Sequence, residues 1–102
     1  MGLMKVRWLR GALENLGAIG EYISKENPQA ARTLVLKIEA AVRRLQEHPS
    51  LGRPSAVSGV RELVIPGTPV VIPYRVQEEQ IEILRVFHGA QDYRVWKPDQ
   101  TV

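Results

Sequence analysis

The spacing of apolar residues changes along this chain of 102 residues, and that change restricts the fold more than any other feature. Between Leu13 and Leu45 they recur every third or fourth position, and from Val60 onward every second. A period near 3.6 marks an amphipathic helix, and a period of two marks a half-buried strand. After one short N-terminal strand, helices therefore come first and the remaining strands later. That is the order of an α+β domain and not of alternating β-α-β units.

Local signals place the elements. Lys5-Val6-Arg7-Trp8-Leu9 alternates polar and apolar, as a short strand does. From Gly11, the residues Leu13, Leu16, Ile19 and Ile23 mark one apolar helical face. Gly17 and Gly20 each cost this helix about 1 kcal/mol relative to alanine. Packing must hold it, and the two glycines are expected to admit a close neighbour. Asn27-Pro28 supplies an N-cap and a proline at the first helical position of a second helix. Its stripe is Leu34, Ile38, Ala41, Val42 and Leu45, and it stops near His48, ahead of Pro49. A link of about two residues makes the pair an antiparallel hairpin.

Pro49 to Gly59, PSLGRPSAVSG, reads as a loop. Strands are expected over Val60 to Ile65, Val70 to Val76 and Ile81 to Phe87. Pro66-Gly67 fits the centre of a type II turn, and Gln77 to Gln80 a polar turn. Pro73 cannot donate to a ladder, so it must face a sheet edge or a bulge. The expected architecture is a single α+β domain over residues 1–102, ordered β-α-α-β-β-β, with the helical hairpin packed on a small antiparallel sheet. One face of that sheet stays open. Parity sets Leu63 and Ile65 against Val64, and Ile83 and Phe87 against Leu84 and Val86, so both faces are apolar. An uncovered apolar face indicates a protein partner, unless the C-terminal tail folds back over it.

Composition removes several function classes. With no cysteine there is neither disulfide nor thiolate, which fits a reducing cytoplasm. No apolar run approaches the roughly 20 residues of a membrane span. MGLMKVRW lacks the apolar core of a signal peptide, and Met4 offers a second start. A cytoplasmic location without membrane contact is expected. The net charge of +3 permits a nucleic-acid or acidic partner, and a solvated surface accounts for it equally well. There is no phosphate-cradling glycine loop, HExxH or GxSxG. Two histidines without cysteine give no expected metal or cofactor.

What remains is the ending RVFHGAQDYRVW and a set of arginines. Only His48 and His88 have ordinary pKa values near neutrality. His48 suits the C-terminal dipole of the second helix. His88 suits either a base for a ribose hydroxyl, with Arg61, Arg75 or Arg85 neutralising phosphate, or a hydrogen bond that places the tail. Arg53, Arg61, Arg75 and Arg85 all fall in the loop and strand region. Parity puts Arg61 with Leu63 and Ile65, and Arg85 with Ile83 and Phe87. An arginine among apolar residues needs a carboxylate, a stacking surface or an anion. Glu62 and Glu82 have the opposite parity, and ion pairs are expected for at least two of the four arginines.

The element order, Gly52-Arg53 in the proline-rich loop, GVRELVIPGTPVVIPYRV from Gly59 to Val76 and IEILRVFHGAQDY from Ile81 to Tyr93 together resemble the RelE/ParE superfamily of bacterial type II toxin–antitoxin toxins. The resemblance runs from Met4 to Trp96. It implies a helical hairpin on a small sheet, and a cognate antitoxin whose C-terminal segment wraps the toxin, as a homodimer or toxin–antitoxin hetero-oligomer. It also implies one of two activities. RelE-like members cut mRNA on the ribosome. ParE-like members bind DNA gyrase and stabilise cleaved DNA, without catalytic chemistry of their own.

RelE-like nucleases carry two arginines and a tyrosine at positions that fall here near Pro66, Ala90 and Trp96. Tyr93 stands close to the last of these. VSGVREL, a YRV strand and an HGAQD ending are more similar to the ParE branch. The resemblance thus implies target binding by Arg53, His88, Gln91, Tyr93 and Trp96, with Phe87 in the core. The ribonuclease alternative would use His88, Arg85, Arg61, Arg75 and Tyr93.

Overall fold

The computed structural model describes residues 2–89 together with Tyr93 and Trp96. The elements are β1 (Lys5–Trp8), α1 (Arg10–Ser24), α2 (Pro28–Glu47), β2 (Arg53–Pro54), β3 (Arg61–Val64), β4 (Val70–Gln77), β5 (Gln80–Ile83) and β6 (Phe87–His88). They form one sheet in the order β1-β5-β4-β3-β2, with β6 also on β4. Two helices on a sheet is the expected α+β fold. The sheet is mixed, however, because β1 runs parallel to β5 while the other pairs are antiparallel. Parallel neighbours need a long connection, and the hairpin with β2 to β4 supplies it.

α2 forms as its sequence dictates. The Asn27 side chain accepts the Ala30 N–H at 3.0 Å, and Pro28 opens the helix. The His48 N–H donates to the Arg44 carbonyl at the C-cap. Leu34, Ile38, Ala41, Val42 and Leu45 are all buried. α1 departs from its expected stripe. Gly11 and Ala12 are buried, Leu16, Ile19 and Ile23 are partly buried, and Leu13 is 54% exposed. No described neighbour lies within 4 Å of a methyl group built at Gly17 or Gly20, so the close approach expected there is absent. It occurs at Gly11 instead, where a Cβ would lie 2.8 Å from Arg85 Cζ.

Gly67 has φ 75° and Thr68 N–H donates to the Ile65 carbonyl at 3.2 Å, the geometry expected for Pro66-Gly67. Between Gln77 and Gln80, Glu78 and Glu79 have φ 51° and 63°, a two-residue hairpin turn of the I′ kind without glycine.

The expected strand over Ile81 to Phe87 is broken in two. β4 pairs through Tyr74 to Gln77 with β5, and through Val70 and Val71 with β6. Ile72 and Pro73 therefore oppose Leu84, Arg85 and Val86, one residue too many, which is a bulge. Pro73 offers no N–H there, and its carbonyl accepts the Leu84 N–H at 3.0 Å. The Val86 N–H turns to the Asn15 side chain of α1 at 3.1 Å. The extra residue reverses the parity expected for this segment. Val86 joins Ile83 on the helix side, whereas Leu84 and Phe87 share the other side.

The main core lies between the hairpin and the sheet, around Ile38, Leu45, Ile65, Ile72, Tyr74, Ile81 and Ile83. A second cluster holds Val60, Leu84 and Trp96, with Leu9, Val57, Phe87 and Tyr93 against it. Part of the second face is thus covered by the chain's own tail. This corrects the expectation of an apolar face left bare.

Candidate functional site

The site is built outward from Tyr74. Its buried hydroxyl donates to the Pro49 carbonyl at 2.8 Å and accepts the Gly52 N–H at 2.9 Å. Burial pushes its pKa up. A Cβ at Gly52 would lie 2.5 Å from a Tyr74 ring carbon and 2.8 Å from the Glu62 carbonyl oxygen, so only glycine fits. The Arg61 guanidinium donates to the Gly52 carbonyl at 2.7 Å. These bonds hold the proline-rich loop to the sheet and bring Arg53 opposite Glu62, with Nε 2.6 Å from Oε1.

Glu62 also ties down the tail. Its Oε2 accepts the Tyr93 hydroxyl at 2.5 Å, and Ser55 Oγ lies 3.2 Å from the same phenol oxygen. Burial raises the Glu62 pKa, but hydrogen bonds from Tyr93 and Arg53 and the charge of Arg53 outweigh it, and the net shift is downward. Tyr93 moves the other way: burial, then the hydrogen bond to Glu62, push it from 10.0 up to about 12. At neutral pH this phenol is protonated and donates to Glu62. Its ring lies 5.4 Å from Phe87 and 6.2 Å from Trp96. Trp96 is only 8% exposed, so it is an interior residue of the second cluster and not the surface residue expected. Phe87 packs on the same cluster.

The arginines are not gathered around His88. This histidine is exposed and stands opposite Val70. Arg75 lies five residues further along β4, bound through Nε to Glu82 Oε1 at 2.6 Å. The Arg85 guanidinium lies against Gly11, and Arg61 is directed to the loop. Arg53 pairs with Glu62 and Arg75 with Glu82, so two of the four arginines are in ion pairs, with partners that parity did not point to. Gln91 lies outside the described residues. Among the described residues no three His, Asp or Glu side chains come together as metal ligands, and no helix is long and apolar enough to cross a membrane.

Beyond the sheet, α1 and α2 enclose a groove of about 320 Å³ lined by Leu13, Leu16, Val35, Ile38 and Val42, with Glu39 and Arg43. Leu13 is turned to this groove and away from the core.

The family described as the ParE toxin of the type II toxin–antitoxin system parDE matches residues 6–93. The chain belongs to the ParE toxin family. Y4kP of Sinorhizobium fredii is 42% identical over 93 residues, covering 91% of this chain and 96% of that protein. Toxin RelE2 of Caulobacter vibrioides is 37% identical over 89 residues, covering 87% and 99%. Among solved structures, the chromosomal ParDE toxin–antitoxin system of P. aeruginosa superposes with a TM-score of 0.77 at 34% identity, covering 85% of this chain and 97% of that one. The RelBE2 toxin–antitoxin complex of Mycobacterium tuberculosis follows at 0.59 and 25%, covering 85% and 99%. The RelE/ParE toxin fold is thereby established for this chain.

Within this ParE-family fold, two residues of the Glu62 and Glu82 networks escaped sequence reasoning. Arg7 lies 3.7 Å from Glu82 because β1 docks beside β5, a pairing that no periodicity reveals. Ser55 falls in the segment that reads as a loop, yet its hydroxyl meets Tyr93 and also accepts the Val57 N–H at 3.1 Å. The Ser-x-Val spacing in a loop was the one available signal for that local turn.

Proposed function

We propose that this ParE-family chain inhibits DNA gyrase by docking, stabilises the cleaved DNA that gyrase holds, and is neutralised by a cognate antitoxin. The observation that carries this reading is the dispersal of the titratable groups among the described residues. His88 stands exposed without Arg75 or Arg85 beside it, and the Tyr93 phenol, raised to about 12, is spent on Glu62. A ribonuclease needs a base, an acid and phosphate-neutralising groups converging on one site. The α1–α2 groove with exposed Leu13 suits an amphipathic helix of the antitoxin, laid apolar face inward. The ParDE neighbour, solved as a toxin–antitoxin system, supports such a partner. Gyrase would be met in the cytoplasm.

One observation favours a second reading, cleavage of mRNA on the ribosome. Toxin RelE2 and the RelBE2 complex are also similar to this chain, and Tyr93 does stand among a carboxylate and a guanidinium. Expression without antitoxin separates the two. Gyrase docking gives growth arrest with a DNA-damage response and intact mRNA. Loss of mRNA without DNA damage would replace the first reading by the second, with His88, Arg61, Arg75, Arg85 and Tyr93 as its groups.

A further inference from the structure

On the sheet face away from the helices, the buried carboxylate of Glu82 and the half-buried carboxylate of Glu62 hold outward arginines. Glu82 and Glu62 have side chains 7% and 13% exposed, while Arg7, Arg53 and Arg75 are 64%, 67% and 36% exposed. Solvent and partners therefore meet the guanidinium groups and not the acids that hold them. The pairings show that this is one face. Arg7, Glu82 and Arg75 are opposite one another across β1, β5 and β4, and Arg53, Glu62 and Pro73 across β2, β3 and β4.

Two of the three pairs share a bonding pattern, whereas Arg7 faces Glu82 through a terminal amino group at 3.7 Å. Arg53 and Arg75 each reach their carboxylate through Nε at 2.6 Å. An arginine bound through Nε keeps its terminal amino groups for a second anion, and its planar fork is already oriented. Two strand spacings, about 10 Å, separate the backbones of Arg7 and Arg75, and their guanidinium groups converge on Glu82. Beside Arg75 a cleft of about 400 Å³ runs under the proline-rich loop, lined by Ser55, Ser58, Arg61 and Arg75.

We propose that this arginine face binds the phosphate backbone of duplex DNA, with Arg7 and Arg75 as the central contacts and Arg53 at the flank. Guanidinium groups turned outward from one sheet face offer cationic contacts to phosphates. They supply no base-reading groups, so the contact is independent of sequence. The choice of duplex DNA rests on the gyrase reading, in which the protein works beside DNA that gyrase has cut. The face then grips the DNA while another surface docks on the enzyme.

The test measures binding of the purified full chain to a short fluorescent DNA duplex over a range of salt, without gyrase. Binding should weaken with salt, and Arg7→Gln should lower the log–log slope by about one counterion, with tenfold or so weaker binding at low salt. Arg7 is mostly exposed, so this variant keeps its fold. Arg75→Lys keeps the charge but loses the fork, and should weaken binding by several-fold with little change of slope. Absence of duplex binding at low salt, an unchanged slope in Arg7→Gln, or equal binding of poly-glutamate would each overturn the proposal. Preference for single-stranded RNA over duplex DNA would also overturn it. Gyrase inhibition by the wild type is scored separately. Inhibition without DNA binding rejects this inference alone, and DNA binding without inhibition rejects the gyrase reading alone.

Discussion

At Gly52 there is no space for a side chain, since Tyr74 and the Glu62 backbone already occupy the position a Cβ would take. Gly52→Ala should therefore cost about 1–3 kcal/mol, the range for overpacking, and chemical denaturation measures it. The Gly-Arg pair was visible in the sequence, but its reason was not. The reason is a tyrosine 22 positions away whose hydroxyl bonds the loop. Trp96 teaches the opposite lesson. A tail tryptophan reads as a surface anchor, yet it fills the second cluster, so Trp96→Ala should destabilise by about 3–5 kcal/mol. Loss of toxicity in that variant would report unfolding and not docking.

Two pH effects follow from the Glu62 network. The folded pKa of Glu62 lies below its ordinary 4.5, so its contribution is complete above that pH and is lost as pH falls through the folded value. Glu62→Gln should flatten the acid limb of the stability profile. Tyr93 has a folded pKa raised from 10.0 to about 12, so its contribution is complete below pH 10.0 and is lost as pH rises through about 12. In an alkaline absorbance titration, Tyr93→Phe should remove a phenol that ionises near 12.

At the scale of elements, α2 was legible from end to end because its cap, proline and apolar stripe are all local signals. The strand after Gln80 was not. A bulge depends on what lies across the sheet, and here Pro73 removes a donor while Asn15 of α1 satisfies the Val86 N–H. Pro73 announced that some irregularity was needed, but not that one extra residue would carry Phe87 to the far face and Val86 to the helix side. Asn15→Ala should cost about 1–3 kcal/mol, because it leaves that N–H without its partner. α1 offers the reverse case. With open space around Gly17 and Gly20, Gly17→Ala and Gly20→Ala should each stabilise by about 0.5–1 kcal/mol, read as a higher melting temperature.

For the whole molecule, the sequence carried the order of elements and the family, since both follow from patterning along the chain. It did not carry the parallel docking of β1, the return of the tail over the second face or the dispersal of the arginines, because each depends on contacts distant in sequence. Those three features shape the functional account. The tail closes the second cluster, Arg53 and Arg75 are held by Glu62 and Glu82, and no acid–base centre forms around His88 among the described residues.

The most direct measurement is a DNA gyrase assay with the purified protein, following supercoiling and the recovery of cleaved plasmid. Supercoiling should fall while cleaved DNA accumulates in proportion to added protein. Undisturbed supercoiling at large molar excess, together with cleavage of ribosome-bound mRNA, would contradict it and return His88 and the arginines to a catalytic role.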